Sequence, residues 1–289
     1  MAFVNCDGVN LYFEQTGDGA PLLFLHEFAG DARAWNAQVG YFSRRYRCIV
    51  TAARGYPPSD VPADVNAYGW QRSLDDAVAV LDHLQIARCH VIGLSMGAYT
   101  GLLLALRHPE RISALVAASG GSGAHPPDRA QFIEETLAAA DRTLSEDGVA
   151  AEDMGNGPSR LQLKHKDPRG WRDFCDHLAE HPGIGSGYTL QKVQAARPGL
   201  HDFEAEFQSC PVPTLLMVGD EDEACLDVNL WLKRTMPMAG LSVIPKSGHL
   251  LNLEDPAGFN QRCADFLITA EKGQWRPRHG GQAGSSVYS

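Results

Sequence analysis

Cys89-His90-Val91-Ile92-Gly93-Leu94-Ser95-Met96-Gly97 is the stretch on which the reading of this chain turns. An apolar strand pattern, Cys89–Gly93, runs into a Gly-x-Ser-x-Gly turn. A helical pattern, Met96–Arg107, leaves the turn and stops at His108-Pro109. On its own the five-residue pattern is a weak signal in a chain with 29 glycines. Its context separates it from an inert Gly-Ser turn. A tight strand–turn–helix corner strains the serine and lifts its Oγ above a sheet. The flanking glycines are required because strand and helix backbones come too close there for side chains.

Outward from this corner, strand and helix alternate. Upstream lie strand patterns at Val9–Gln15 and Leu22–His26 around a Gly17-Asp18-Gly19 turn, then a helix at Ala34–Phe42 and a strand at Arg47–Ala52. Trp70–Leu84 follows as a helix with Leu74, Val78 and Leu81 on one face. Downstream, Ile112–Ala118 is a strand, and the alternation breaks at Gly120–Gly123. From Pro126 to Gln208 the pattern is helical, interrupted at Gly155–Pro158 and His181–Gly187. Strands resume at Thr214–Val218 and Leu241–Ile244, before a closing helix near Pro256–Ile268. Short connections between alternating strands and helices predict an α/β fold, a mostly parallel sheet covered on both faces. Residues 1–120 and 209–270 then form the core. Residues 121–208 form a helical cap over the carboxyl edge of the sheet, where open α/β sheets bind ligands. The polar, Gly/Ser-rich tail, 271–289, is expected to be unstructured.

A chain of 289 residues buries enough surface to need no metal or disulfide for stability. Its net charge of −10, without a concentrated basic surface, speaks against nucleic acid as a partner. Apolar runs are far too short for a membrane span, and no signal segment opens the chain. Seven scattered cysteines fit reduced thiols rather than a disulfide framework or a zinc site. These features predict a cytoplasmic enzyme acting on a small molecule; they leave the oligomeric state open.

A serine hydroxyl needs a base within hydrogen-bond reach to act as a nucleophile. Among eleven histidines, His249 in Ser247-Gly248-His249 stands just past a strand, on a loop at the same sheet edge as Ser95. His83, His90 and His108 fall in helices or at element ends, where a structural role is expected. The third member is a carboxylate that fixes the imidazole tautomer. Gly219-Asp220-Glu221-Asp222-Glu223 offers four, of which Asp222 is preferred and Asp220 stands next.

These segments, with Leu23-Phe24-Leu25-His26-Glu27-Phe28-Ala29-Gly30 and Ala53-Arg54-Gly55-Tyr56-Pro57-Pro58-Ser59-Asp60, resemble the α/β-hydrolase superfamily in its capped serine-hydrolase branch, across roughly residues 8–270. In that family the acid stands three residues after the glycine that ends its strand, which selects Asp222. The order Ser…Asp…His also fits. The resemblance implies an oxyanion hole made by the backbone N–H groups of Met96 and Phe28. Glu27 departs from the glycine usual there, so an ordinary φ is expected. Glu27 is read either as an Arg-paired loop residue or as a pocket-mouth charge that repels anions. Among the cap aromatics Phe132, Trp171, Phe174, Tyr188 and Phe203, the substrate pocket is assigned Trp171, Phe174 and Tyr188, with Glu27; packing of the cap is the alternative for each. His165, His177 and His181 do not make a metal site, and neither metal nor cofactor is expected.

The implied function is hydrolysis of a carboxylic ester or lactone of a small, mainly uncharged substrate through an acyl-enzyme. The Gly-Leu-Ser-Met-Gly elbow also resembles enol-lactonases and C–C hydrolases of meta-cleavage products. From another class, a slow-turnover ligand receptor on the same fold is the alternative. Dehalogenases and epoxide hydrolases of this fold are disfavoured, because they carry aspartate where this chain has Ser95.

Overall fold

A computed structural model describes residues 2–278. Eight strands, β1 (Ala2–Cys6), β2 (Val9–Thr16), β3 (Ala20–Leu25), β4 (Tyr46–Thr51), β5 (Cys89–Leu94), β6 (Ile112–Ala118), β7 (Thr214–Gly219) and β8 (Ala239–Ile244), form one sheet. Their spatial order is β1-β2-β4-β3-β5-β6-β7-β8. β2 runs antiparallel to both its neighbours, and the remaining pairs are parallel. β5 and β7 are buried at every position, as strands covered on both faces must be. One face packs against the helices Trp70–His83, Met96–Arg107 and Glu223–Thr235 through Leu74, Leu81, Leu103 and Leu232. The other packs against Asn36–Phe42 and Pro256–Glu271 through Trp35, Phe42, Phe259 and Phe266. The mostly parallel two-sided sheet expected from the alternation is therefore the observed fold.

Two elements escape the pattern reading. β1 is a short, half-exposed edge strand that pairs with β2 across an Asp7-Gly8 turn, so few of its residues carry a burial signal. The helix Glu223–Thr235 opens inside the acidic run, and its inward face includes Cys225 and Asn229, which blur the apolar stripe. The expectation of an unstructured tail is corrected for residues 271–278. Glu271 ends the last helix, and Trp275 stacks edge-on against Phe266 at 4.7 Å. The Trp275 indole N–H donates to Met238 O (2.8 Å), and Arg278 N–H to Pro237 O (2.9 Å). A single large aromatic buries enough apolar area to dock a segment whose composition reads as polar. Residues 279–289 of the tail expectation lie outside the described residues.

Between β6 and β7 the chain forms helices at Arg129–Ser145, Ala151–Gly155, Leu161–Lys166, Pro168–Ala179, Gly183–Thr189 and Glu204–Ser209, with a π turn at Leu190–Ala195. No helix among the described residues is long and apolar enough to cross a membrane. All seven cysteines are free.

Candidate active site

Ser95 joins β5 to the helix Met96–Arg107 with φ 53° and ψ −108°, a left-handed backbone that a non-glycine residue holds only under constraint. The constraint comes from packing. A Cβ added at Gly93 would lie 2.3 Å from Gly97 O, and one at Gly97 would lie 2.0 Å from Leu25 O. Neither position admits a side chain, because backbone oxygens stand in the way. Ser95 N–H donates to Ala118 O at 2.8 Å, which ties the corner to the end of β6.

Asp222 sits in the loop after β7 and His249 in the loop after β8. His249 Nδ1–H donates to Asp222 Oδ2 at 2.8 Å, with both side chains buried. Burial opposes ionisation of Asp222, but the charge and hydrogen bond of His249 outweigh it and hold the carboxyl below its usual range. Burial likewise opposes the imidazolium, and the Asp222 charge and hydrogen bond raise His249 well above an ordinary histidine. Asp220, the runner-up acid, instead accepts from Ser247 N–H (3.2 Å) and braces the histidine loop.

That loop is held from two sides. The buried Glu254 carboxylate accepts from Gly248 N–H (2.8 Å) and Leu250 N–H (3.1 Å), the amides flanking the histidine. From the helical insertion, Ser159 O accepts from His249 N–H (2.7 Å) and Lys166 Nζ donates to Ser247 Oγ (3.0 Å).

On the loop after β3, His26 Nε2 accepts from Ala53 N–H (2.9 Å), so the ring proton is on Nδ1, which donates to Glu27 O (2.7 Å). Burial lowers the His26 pKa and keeps this tautomer neutral. The histidine thereby pins the Glu27–Phe28 segment. Glu27 shows no positive φ, as expected for a non-glycine residue.

Ser95, His249, Asp222, Glu27 and Phe28 line one cavity of about 500 Å³. That volume lies within the usual range for small-molecule sites. Met96 begins its helix, where the first N–H groups have no intrahelical acceptor. Met96 also lines a separate cavity of about 50 Å³, which has room for a few waters. Glu27 is 2% exposed and paired with Arg160 Nη2 at 2.9 Å. Glu27 is therefore Arg-paired, as the first reading had it, and it lines the cavity as a buried, charge-matched group rather than as a free charge at its mouth. Arg197 also lines the cavity. It donates to Ser122 O (2.9 Å) and lies over the Tyr99 ring (4.6 Å), and burial lowers its pKa to about 10.

The pocket aromatics are corrected. Phe132 lines the cavity, whereas Trp171, Phe174 and Tyr188 do not. Trp171 donates to Gly155 O (2.8 Å), Phe174 is buried beneath Arg160, and Tyr188 stacks on Tyr68 (5.4 Å). Each is used to pack the insertion, since helical periodicity marks a buried face without saying what covers it. Arg160, Arg197 and Glu254 escaped the sequence reading because a charged residue carries no local sign of burial. Among the described residues, Asp222, Cys225 and His249 are the one group of three or more whose metal-ligand atoms all lie within 4.8 Å of one another. Those atoms are already engaged, by the Asp–His bond and by Cys225 Sγ contacts to Ser119 O (3.3 Å) and Ser122 Oγ (3.2 Å).

Comparison with known proteins gives the family. A putative 2-succinyl-6-hydroxy-2,4-cyclohexadiene-1-carboxylate synthase of Bacillus subtilis (strain 168) is 27% identical over 272 residues, 91% of this chain and 96% of the relative. A 2-hydroxymuconate semialdehyde hydrolase of Pseudomonas sp. (strain CF600) is 28% identical over 281 residues, 91% and 92% of the two chains. Among solved structures, a thermophilic esterase from Thermogutta terrifontis superposes with a TM-score of 0.82 at 26% identity, covering 93% of this chain and 98% of the esterase. Residues 22–262 match the Alpha/beta hydrolase family as a whole, and with the sheet order and elbow described above they place this chain in that family as a hydrolase.

Proposed function

We propose that the protein cleaves a carboxylic ester or lactone of a small substrate by nucleophilic catalysis. Ser95 is the nucleophile, His249 the general base and Asp222 the carboxylate that orients it. The observation that carries the reading is the buried 2.8 Å Asp222–His249 bond, in the same cavity as a serine held at φ 53°. In this reading His249 takes the Ser95 proton as Oγ attacks the carbonyl, then delivers it to the leaving alcohol. The N–H groups of Phe28 and Met96 hold the oxyanion, and water releases the acid from the acyl-enzyme. Residues 121–208 are the lid, gripped to the catalytic loops by Ser159, Arg160 and Lys166.

Hydrolysis of a p-nitrophenyl ester series from acetate to dodecanoate tests the assignment. Turnover in the wild type and its loss in Ser95→Ala and His249→Ala is the expected result. Folded wild-type protein without turnover overturns it, and ligand binding indifferent to Ser95→Ala would return the chain to the receptor alternative.

Arg197 favours a second reading. It lines the cavity, and its guanidinium has no carboxylate in ion-pair distance among the described residues, which suits it to a carboxylate-bearing substrate. A C–C hydrolase acting on a vinylogous diketo acid would use the same serine, and the 2-hydroxymuconate semialdehyde hydrolase relative is in keeping with it. Faster turnover of such an acid than of any ester in the series would decide for it.

A further inference from the structure

Glu27 stands where the resemblance leads to an expected glycine, and its placement relative to His249 gives it a use. Oε2 lies 3.9 Å from His249 Nε2, the nitrogen opposite the one that Asp222 holds. Glu27 lines the same cavity, and its Oε1 is buried with no hydrogen-bond partner among the described residues. A buried carboxylate oxygen without a donor is costly, and a ligand that supplies one relieves that cost. Resting on the Ser95–His249 reading above, we propose that Glu27 accepts a hydrogen bond from the leaving nitrogen of an amide, giving this site an amide-cleaving activity.

To take a proton from Nε2, the leaving atom approaches to about 3 Å. A carboxylate 3.9 Å from Nε2 is then within reach of that atom's other substituents. In a secondary amide, Ser95 Oγ bonds to the carbonyl carbon and its proton passes to Nε2. The nitrogen must then turn its lone pair toward Nε2–H, which swings its own N–H to the side, where an acceptor holds it. Proton transfer to nitrogen and cleavage of the C–N bond release the amine and leave acyl-Ser95. Water then yields the carboxylic acid and restores the serine hydroxyl, so one water is consumed per amide and nothing is oxidised or reduced. An ester oxygen carries no hydrogen to donate, so it gains nothing from Glu27. Arg160 completes the arrangement. By holding Oε2 at 2.9 Å it fixes the carboxylate and offsets a negative charge that would otherwise oppose the neighbouring oxyanion.

The test compares p-nitroacetanilide, N-methyl-p-nitroacetanilide and p-nitrophenyl acetate, which share one acyl group and differ in the leaving atom. Wild type should release nitroaniline above the Ser95→Ala rate from the secondary anilide and not from the N-methyl compound, which has no N–H. In Glu27→Gln, Arg160 retains the amide oxygen and the free edge becomes a donor, so the anilide-to-ester ratio should fall about tenfold or more. If that variant misfolds, Glu27→Ala/Arg160→Ala removes both charges together, leaves no buried ion unpaired, and should lower the same ratio. An unchanged ratio, or anilide turnover equal to Ser95→Ala while the ester is cleaved, overturns the proposal and leaves the esterase reading standing. Failure on the ester as well overturns that reading, and the proposal with it.

Discussion

Removing the carboxylate of Glu254 should cost both stability and catalysis, although Glu254 touches neither Ser95 nor His249's ring. Its two oxygens accept from the amides on either side of His249, at 2.8 and 3.1 Å, and it is 6% exposed. Hydrogen bonds to a charged group contribute about 1.5–3 kcal/mol each, and buried donors left unmade lose that and their hydration. Two such bonds, less some relaxation toward water, put Glu254→Ala at about 3–5 kcal/mol of lost unfolding free energy. Glu254→Gln keeps one good acceptor and should lose about half as much. Lys166, 3.7 Å from Oε2, would lose a partner in both variants. Without the clamp the loop is free to move the imidazole, and a displacement near 1 Å costs about 100-fold in rate. Urea unfolding followed by tryptophan fluorescence, with kcat/KM on a p-nitrophenyl ester, reads both effects. Glu254→Ala with an unchanged unfolding midpoint and kcat/KM within about twofold would refute the clamp.

Other expectations follow from the same geometry. Asp222→Asn should lower kcat by about 10⁴-fold with little change in KM, because the amide presents the wrong hydrogen-bonding group to Nδ1; a loss below tenfold in ester turnover would sink that role. The His249 pKa is raised above 6.5 and the Asp222 pKa lowered below 3.8, with burial opposing both and their mutual attraction winning. The histidine's share of stability is therefore complete below 6.5 and lost as pH rises through its raised value, while the aspartate's is complete above 3.8 and lost as pH falls through its lowered one. Urea unfolding of wild type and His249→Gln across this range should diverge most between those limits, and parallel curves would contradict it. Gly97→Ala places a Cβ 2.0 Å from Leu25 O and should abolish soluble folded protein; a variant with native circular dichroism and turnover would show that the elbow yields. Arg197→Gln should lower the preference for carboxylate-bearing over neutral esters by about tenfold, measured as a ratio of kcat/KM values, and an unchanged ratio would remove Arg197 from substrate recognition.

Local pattern carried most of the fold and the chemical core of the site. Strand–helix alternation, the two glycines of the elbow and the glycine-ended strand before Asp222 are all properties of short segments, and backbone sterics act over the same range. What lay beyond local pattern was whatever depends on distant partners. Glu27 reads as a loop charge until Arg160, on the insertion, closes over it at 2.9 Å. Glu254 is the short-range case: the turn before it folds back so that Gly248 and Leu250 donate to its oxygens, a bend that no local pattern marked. Trp171, Phe174 and Tyr188 carry an apolar signal that is the same whether a substrate or a neighbouring helix covers them; the packing of the insertion gave them to the helices and left Phe132 and Arg197 to the cavity. Sequence determines which atoms a segment must bury or leave strained, because those costs are paid locally. Only the tertiary structure decides which charge meets which, because that depends on groups such as Glu27 and Arg160, distant in sequence, sharing a few ångströms.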